Sequence, residues 1–186
     1  HNEDKTVWIV FNGEIFNYRE LRDMLLKKGV TFQTHSDTEV LVQLYAIYGK
    51  KCLPMLNGQF AFAIWDKVEK ELFMARDRIG IRPLFYNLEN GIFTFASEIK
   101  SLFLQDRIKP ELSVENLTQI YTFWTAITPN TAFRNIYELS PGHCLTFSEK
   151  GLNIERYWQL QYGNNKNTIK LEKALEQFHE LFYDAV

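Results

Sequence analysis

The spacing of apolar residues predicts a strand followed by a helix at the start of the chain. Residues 7–11 are all apolar and include valine and isoleucine, which favour strands. Asn17 is a candidate helix N-cap with Glu20 three residues later, and apolar residues then follow at helical spacing. We expect this helix to stop at Gly29, because glycine readily ends a helix.

A second strand and helix are predicted directly afterwards. Residues 32–34 are typical of a short strand. Ser36 and Glu39 have the spacing of a capping box, and apolar residues at helical spacing follow them as far as Gly49. The pattern therefore predicts a helix that ends at Gly49.

The middle of the chain has the pattern of consecutive strands. They are predicted at residues 60–65, 72–75, 83–87 and 93–96. The connections are too short for parallel crossovers, so the strands are expected to be antiparallel. Two helices and a further set of short strands are predicted at residues 97–104, 113–124, 137–139, 144–147 and 154–157. The predicted fold class is α+β.

The end of the chain differs in character from the rest. Residues 162–168 are polar and rich in asparagine, and an amphipathic helix is predicted from there to the last residue. Its apolar stripe consists of Leu171, Leu175, Phe178, Leu181 and Phe182. A helix with such a stripe needs a surface to pack on. We therefore expect one domain at residues 1–160, and a linker with the first helix of a second domain at residues 161–186.

Charge and cysteine content narrow the classes of partner. The 21 Lys and Arg residues nearly balance the 23 Asp and Glu residues, so we expect neither nucleic acid nor a membrane as partner. A small molecule or another protein is expected instead. Cys52 and Cys144 are too few and too far apart for a disulfide framework or a metal site, which suits a reducing, cytoplasmic setting.

Candidate chemistry is concentrated near two helix starts. Asn12-Gly13-Glu14 is predicted to lie in a loop between a strand and a helix, where main-chain N–H groups and a side-chain amide can form an oxyanion hole. The pattern alone favours a simple Asn-Gly turn. Asp37 lies in the second capping box, where a carboxylate usually caps the helix. Alternatively, Asp37 and Glu14 together bind the ammonium group of an amino acid.

Two further groups have ordinary structural explanations. The segment from Arg76 to Arg82 holds three arginines and Asp77. A solvated or internally paired turn, with Asp77 as the local counter-charge, is favoured there over an anion site. His143-Cys144 lies in a predicted strand, where core packing is favoured over a nucleophile.

Ordered motifs along almost the whole chain resemble the class II glutamine amidotransferases, and within them the glutamine-hydrolysing asparagine synthetases. The motifs are FNGEIFNY at 11–18, THSDTEV at 34–40, LNGQFAFA at 56–63, ARDRIGIRPL at 75–84, FASEIK at 95–100, LSPGH at 139–143 and ERYW at 155–158. The last two motifs distinguish the asparagine synthetases from relatives that aminate other acceptors.

The resemblance implies a fold and a set of roles. The expected fold is the αββα arrangement of N-terminal-nucleophile hydrolases, incomplete at the N-terminus. Asn12 and Gly13 are expected to form the oxyanion hole, while Glu14 and Asp37 hold the α-amino group of glutamine. No cofactor is expected in this domain, and ATP and Mg²⁺ are expected to act in a missing synthetase domain of a homodimeric enzyme.

The resemblance also implies a missing part. The family nucleophile is an N-terminal cysteine, whereas position one here is His1. Neither Cys52 nor Cys144 can replace it, because an internal cysteine has no free amine to act as base. We therefore expect an inactive fragment with unpaired sheet edges that favour self-association. A glutaminase domain for another acceptor and a non-catalytic glutamine-binding module remain alternatives.

Overall fold

The computed structural model describes residues 1–162 and 169–185 and has an α+β fold. The strands are β1 Val7–Ile15, β2 Gly58–Asp66, β3 Glu71–Arg76, β4 Phe85–Glu89, β5 Ile92–Ala96, β6 Tyr137–Glu138, β7 His143–Ser148 and β8 Gly151–Arg156. The helices are α1 Tyr18–Leu26, α2 Asp37–Tyr48, α3 Ile99–Leu102, α4 Val114–Phe123 and α5 Leu171–Ala185, and a 3₁₀ segment, Gly49–Met55, follows α2.

The strands form two antiparallel sheets. The first has five strands in the order β1-β2-β3-β7-β8, and the second has three in the order β5-β4-β6. Short turns join β2 to β3, β4 to β5 and β7 to β8. The predicted antiparallel arrangement is therefore confirmed.

The side chains of β2 show how the layers are held together. Phe60, Phe62 and Ile64 are buried in a cluster with α1 and α2 on one face of the five-stranded sheet. Ala61 and Ala63 lie in a second cluster, between the two sheets. Because side chains alternate between the faces of a strand, this strand contributes to both layers at once. Small alanines on the inner face allow the sheets to approach closely.

A third apolar cluster lies beside the three-stranded sheet. Leu102, Ile108 and Ile136 are buried there, with Phe85 and Ile99 packed against them. Helical layers thus contact both sheets, and the expected αββα arrangement is confirmed. At the open side of the larger sheet, β1 is an edge strand within the described residues, and half-exposed apolar side chains lie along it. Self-association through this edge stays a prediction.

Several predicted element boundaries were wrong. Residues 32–34 do not form a strand, because their main chain is used to bind a side chain of α2. The helix predicted at 97–104 is reduced to α3. Strand β1 continues to Ile15, since it pairs with β2 along its whole length, so the predicted loop at Asn12-Gly13-Glu14 is part of a strand.

The two predicted capping boxes also differ from expectation. Asn17 stands at the N-cap of α1 but makes no capping bond, because its amide binds the Met55 carbonyl and the Asn57 N–H. Ser36 does cap α2 by accepting a hydrogen bond from the Thr38 N–H at 3.0 Å. Glu39 completes no box, because its carboxylate accepts main-chain hydrogen bonds from residues 33 and 34 instead.

Helix α5 forms close to where the pattern predicts it, and nearly all of its side chains are exposed. Most of the predicted linker lies outside the described residues. The domain boundary at residue 160 therefore stays a prediction. Within the described residues, no helix combines the length and the apolar character required to cross a membrane.

Candidate glutamine site

Gly13 lies in β1 opposite Phe60 of β2, where the two strands approach very closely. A Cβ atom at Gly13 would lie 2.1 Å from the Gln59 carbonyl oxygen and 2.7 Å from the Phe60 Cα. The φ angle of Gly13 is +154°, a conformation that L-residues rarely adopt. Only glycine satisfies both conditions. The Asn-Gly pair therefore allows a close strand contact and forms no turn.

A cavity of about 400 Å³ brings together three of the four predicted site residues. Gly13, Glu14 and Asp37 line it, although 22 positions separate Asp37 from Ile15, the last residue of β1. The Asp37 Oδ2 accepts a hydrogen bond from the Ile15 N–H at 3.1 Å. This bond holds the start of α2 against the end of β1. Both acidic residues therefore line one space.

Asn12 lies in a neighbouring space and not in this cavity. It lines a smaller cavity of about 200 Å³ between the two sheets, together with Ala61, Phe95 and Ser97. Its Nδ2 donates to the Ser97 hydroxyl over 3.4 Å, which is long for such a bond. Asn12 and Glu14 lie two positions apart in one strand, so their side chains leave the same face of it. The Asn12 amide is thus adjacent to the cavity, and its weak bond leaves it available.

The structure adds two residues that the sequence analysis did not assign to the site. Arg82 lines the cavity beside Glu14 and Asp37, and its buried Nε has no hydrogen-bond partner among the described residues. His35 lies in the same wall. Arg82 is one of three arginines in the motif ARDRIGIRPL. The spacing of these arginines in the sequence does not indicate which of them faces a ligand.

The other two arginines of that motif are used internally, but the counter-charge of Arg76 is Glu138 and not, as was predicted, Asp77. Arg76 is buried and pairs with Glu138 at 2.8 Å. Arg78 donates to the main-chain carbonyl of Leu56 at 2.7 Å. Asp77 is 1% exposed and accepts only local main-chain hydrogen bonds, apart from one from β2. Arg82 alone of the three arginines is directed to the cavity.

Neither cysteine is suited to act as a nucleophile. Burial raises the pKa of the Cys52 thiol to about 12 and that of the Cys144 thiol to about 11. Both are buried and free, and neither lines the cavity described above. At neutral pH the thiolate, which is the reactive form, is therefore almost absent.

This burial predicts a simple chemical result. At pH 8 the folded chain should react with iodoacetamide far more slowly than the chain in guanidinium chloride, because folding raises both thiol pKa values and blocks access. Mass spectrometry of the alkylated protein over time measures both rates. Rapid labelling of either cysteine in the folded chain would contradict the buried positions.

Comparison with known proteins supplies the family. Residues 1–158 match the glutamine amidotransferase domain family. Asparagine synthetase [glutamine-hydrolyzing] 3 of Bacillus subtilis is 41% identical over 97% of this chain, and asparagine synthetase [glutamine-hydrolyzing] 1 of the same organism is 39% identical over 99%. The chain spans only 29% of the length of each of these relatives.

A solved structure gives the same assignment at the level of the fold. The glutamine phosphoribosylpyrophosphate amidotransferase of B. subtilis, complexed with ADP and GMP, superposes with a TM-score of 0.62 at 27% identity. The match covers 86% of this chain and 31% of that protein. Since the family match extends from residue 1 past the end of β8, this chain belongs to the glutamine amidotransferase family.

Proposed function

We propose that this chain is the glutaminase part of an asparagine synthetase, which releases ammonia from glutamine for the amidation of aspartate. The printed names of the two B. subtilis relatives support this acceptor. The observation that carries the proposal is the cavity in which Glu14 and Asp37 line one space beside Gly13. Two carboxylates in one cavity are suited to bind a ligand ammonium group by charge-assisted hydrogen bonds.

The charges of the cavity wall support a ligand with one ammonium group. Glu14 and Asp37 contribute two negative charges, and Arg82 contributes one positive charge. Glutamine is a zwitterion, so its α-ammonium group can pair with these two carboxylates while its α-carboxylate pairs with Arg82.

Gly13 and Asn12 suit the next step of glutamine hydrolysis. In the mechanism that the family resemblance implies, a cysteine thiolate attacks the side-chain amide, ammonia leaves, and water then releases glutamate. The attack creates an oxyanion, for which the Gly13 N–H and the Asn12 amide are the proposed donors. The Asn12 Nδ2 lies beside the cavity and makes a long, weak hydrogen bond to Ser97, so it remains able to donate to an oxyanion.

The remaining chemistry of the proposed enzyme lies outside these residues. ATP and Mg²⁺ would act in a synthetase domain, where aspartate is activated as an adenylate. None of the residues described here is assigned to them. A homodimeric, cytoplasmic enzyme is part of the same proposal, and so is the assignment of α5 to the start of the synthetase domain.

Binding of glutamine tests the proposal directly. Glutamine should bind measurably to this chain in titration calorimetry, and Glu14→Gln should weaken binding about tenfold or more, because one charged hydrogen bond to the ammonium group is lost. Glutaramic acid, which lacks only the α-amino group of glutamine, should bind no better to the original chain than to the variant.

Glu69→Gln is the matched control, because Glu69 is exposed in the turn between β2 and β3. This variant should bind glutamine like the original chain. Equal affinity in the Glu14 variant and the original chain would remove Glu14 from the site. Binding by a full-length protein that releases no ammonia from glutamine would instead favour a non-catalytic glutamine-binding module.

A further inference from the structure

The loop between β3 and β4 has no regular secondary structure, yet two buried charged side chains satisfy its main chain. The Asp77 Oδ1 accepts the N–H groups of Ile79, Gly80 and Ile81 at 3.1, 2.6 and 3.0 Å. Arg76 provides the complementary bonds by donating to the Gly80 and Arg82 carbonyls at 2.8 and 2.7 Å. These two side chains therefore determine the shape of the loop.

The second oxygen of Asp77 has different partners. Its Oδ2 accepts the Arg82 N–H at 3.1 Å and the Phe60 N–H at 3.2 Å. Arg82 lines the cavity, and Phe60 is the strand partner of Gly13, in the close contact described above. One carboxylate oxygen thus binds both Arg82, which lines the candidate site, and the strand partner of Gly13, while the other oxygen only closes the turn.

We infer that Asp77 is a positioning residue, which sets the Arg82 guanidinium and the Gly13 main chain relative to each other through its Oδ2. Asp77 contacts no ligand in this arrangement. It acts on ligand affinity through the residues that it holds. This inference rests on the proposed function for the identity of the ligand, but the positioning itself can be measured without one.

Asp77→Asn separates the two roles of the carboxylate. The single amide oxygen of asparagine can occupy only one of the two oxygen positions, and three N–H donors converge on Oδ1 whereas two converge on Oδ2. The orientation that keeps three bonds is favoured over the one that keeps two. The variant should therefore retain the turn and lose both links to the site.

Hydrogen exchange of single amides, followed by NMR, tests the positioning in the absence of any ligand. In Asp77→Asn, the Phe60 and Arg82 amides should exchange about tenfold faster or more, while those of Ile79 and Ile81 change little. Unchanged exchange at Phe60 and Arg82, or an equal increase at all of these amides, overturns the inference. If the variant does not fold, exchange is measured in the original chain alone. An Arg82 amide that exchanges there as fast as one in an unstructured peptide overturns the inference.

Glutamine affinity gives the second measurement. Asp77→Asn should weaken glutamine binding about tenfold, whereas Asn87→Ala, at another buried polar position in β4, should not. Combining Asp77→Asn with Arg82→Gln should weaken binding by less than the product of the two single effects, because both changes act on Arg82. If the double variant loses affinity by the full product of the two single effects, Asp77 does not act on glutamine binding through Arg82. If the original chain binds no glutamine, the proposed function fails while the exchange experiment still decides the positioning.

Discussion

Gly13→Ala is expected to lower the free energy of unfolding by at least about 3 kcal/mol, because the new Cβ must displace main-chain atoms. The Gln59 carbonyl oxygen would lie 2.1 Å away and the Phe60 Cα 2.7 Å away, and neither atom can rotate aside as a side chain can. The φ angle of +154° adds backbone strain. Denaturant unfolding followed by circular dichroism measures the loss.

Gly29→Ala separates the strain of the backbone from the steric contact. Gly29 also has a positive φ angle, +85°, but a Cβ there would meet no atom within 4 Å. We expect it to cost only about 1–2 kcal/mol. Equal losses in the two variants would show that the close contact between β1 and β2 contributes nothing. In Gly13→Ala, glutamine affinity should fall as well, because the strands that frame the cavity are forced apart.

The second large effect is expected on catalysis. In the full-length enzyme that we propose, Asn12→Ala should lower the rate of glutamine hydrolysis by about 10²–10³-fold, the usual cost of one oxyanion donor. The effect should appear in kcat with little change in KM, because the oxyanion exists only after attack on the amide. Release of glutamate, measured over a range of glutamine concentrations, separates the two constants.

Asn153→Ala is the matched control for this substitution. Asn153 is exposed in β8, and among the described residues its side chain bonds only to Glu155, so the rate should not change. A rate that is unaffected by Asn12→Ala would remove this residue from the mechanism. An effect on KM alone would assign Asn12 to ground-state binding of glutamine, and the oxyanion role would then be wrong.

Elements with strong periodic patterns were predictable from the sequence. The apolar spacing that predicts α2 and the apolar run that predicts β2 both correspond to residues that are buried in the structure. The predicted strand at residues 32–34 was wrong for a tertiary reason, since its main-chain N–H groups bind the Glu39 carboxylate instead of a neighbouring strand. Similarly, Asn17 has the sequence signature of an N-cap, but its side chain is bound by a distant segment of chain.

The sequence identified candidate site residues, and the structure showed which of them lie close together. Glu14 and Asp37 were candidates from the motifs, yet their sequence separation could not establish a shared cavity. Arg82 was one of three similar arginines, and only the bonds that use Arg76 and Arg78 internally distinguish it. Asn12 was expected in the same loop as Gly13, but both lie in a strand, and Asn12 lines the separate space between the two sheets.

The sequence by itself determined the fold class, the antiparallel connections and the family, because periodicity, short turns and ordered motifs are local properties of the chain. Only the tertiary structure decided which carboxylates share a cavity, which arginine joins them, and why Gly13 cannot be replaced without strain. Each of these depends on contacts between segments that are far apart in sequence. Such contacts are set by how the sheet and helices pack, and no local pattern records them.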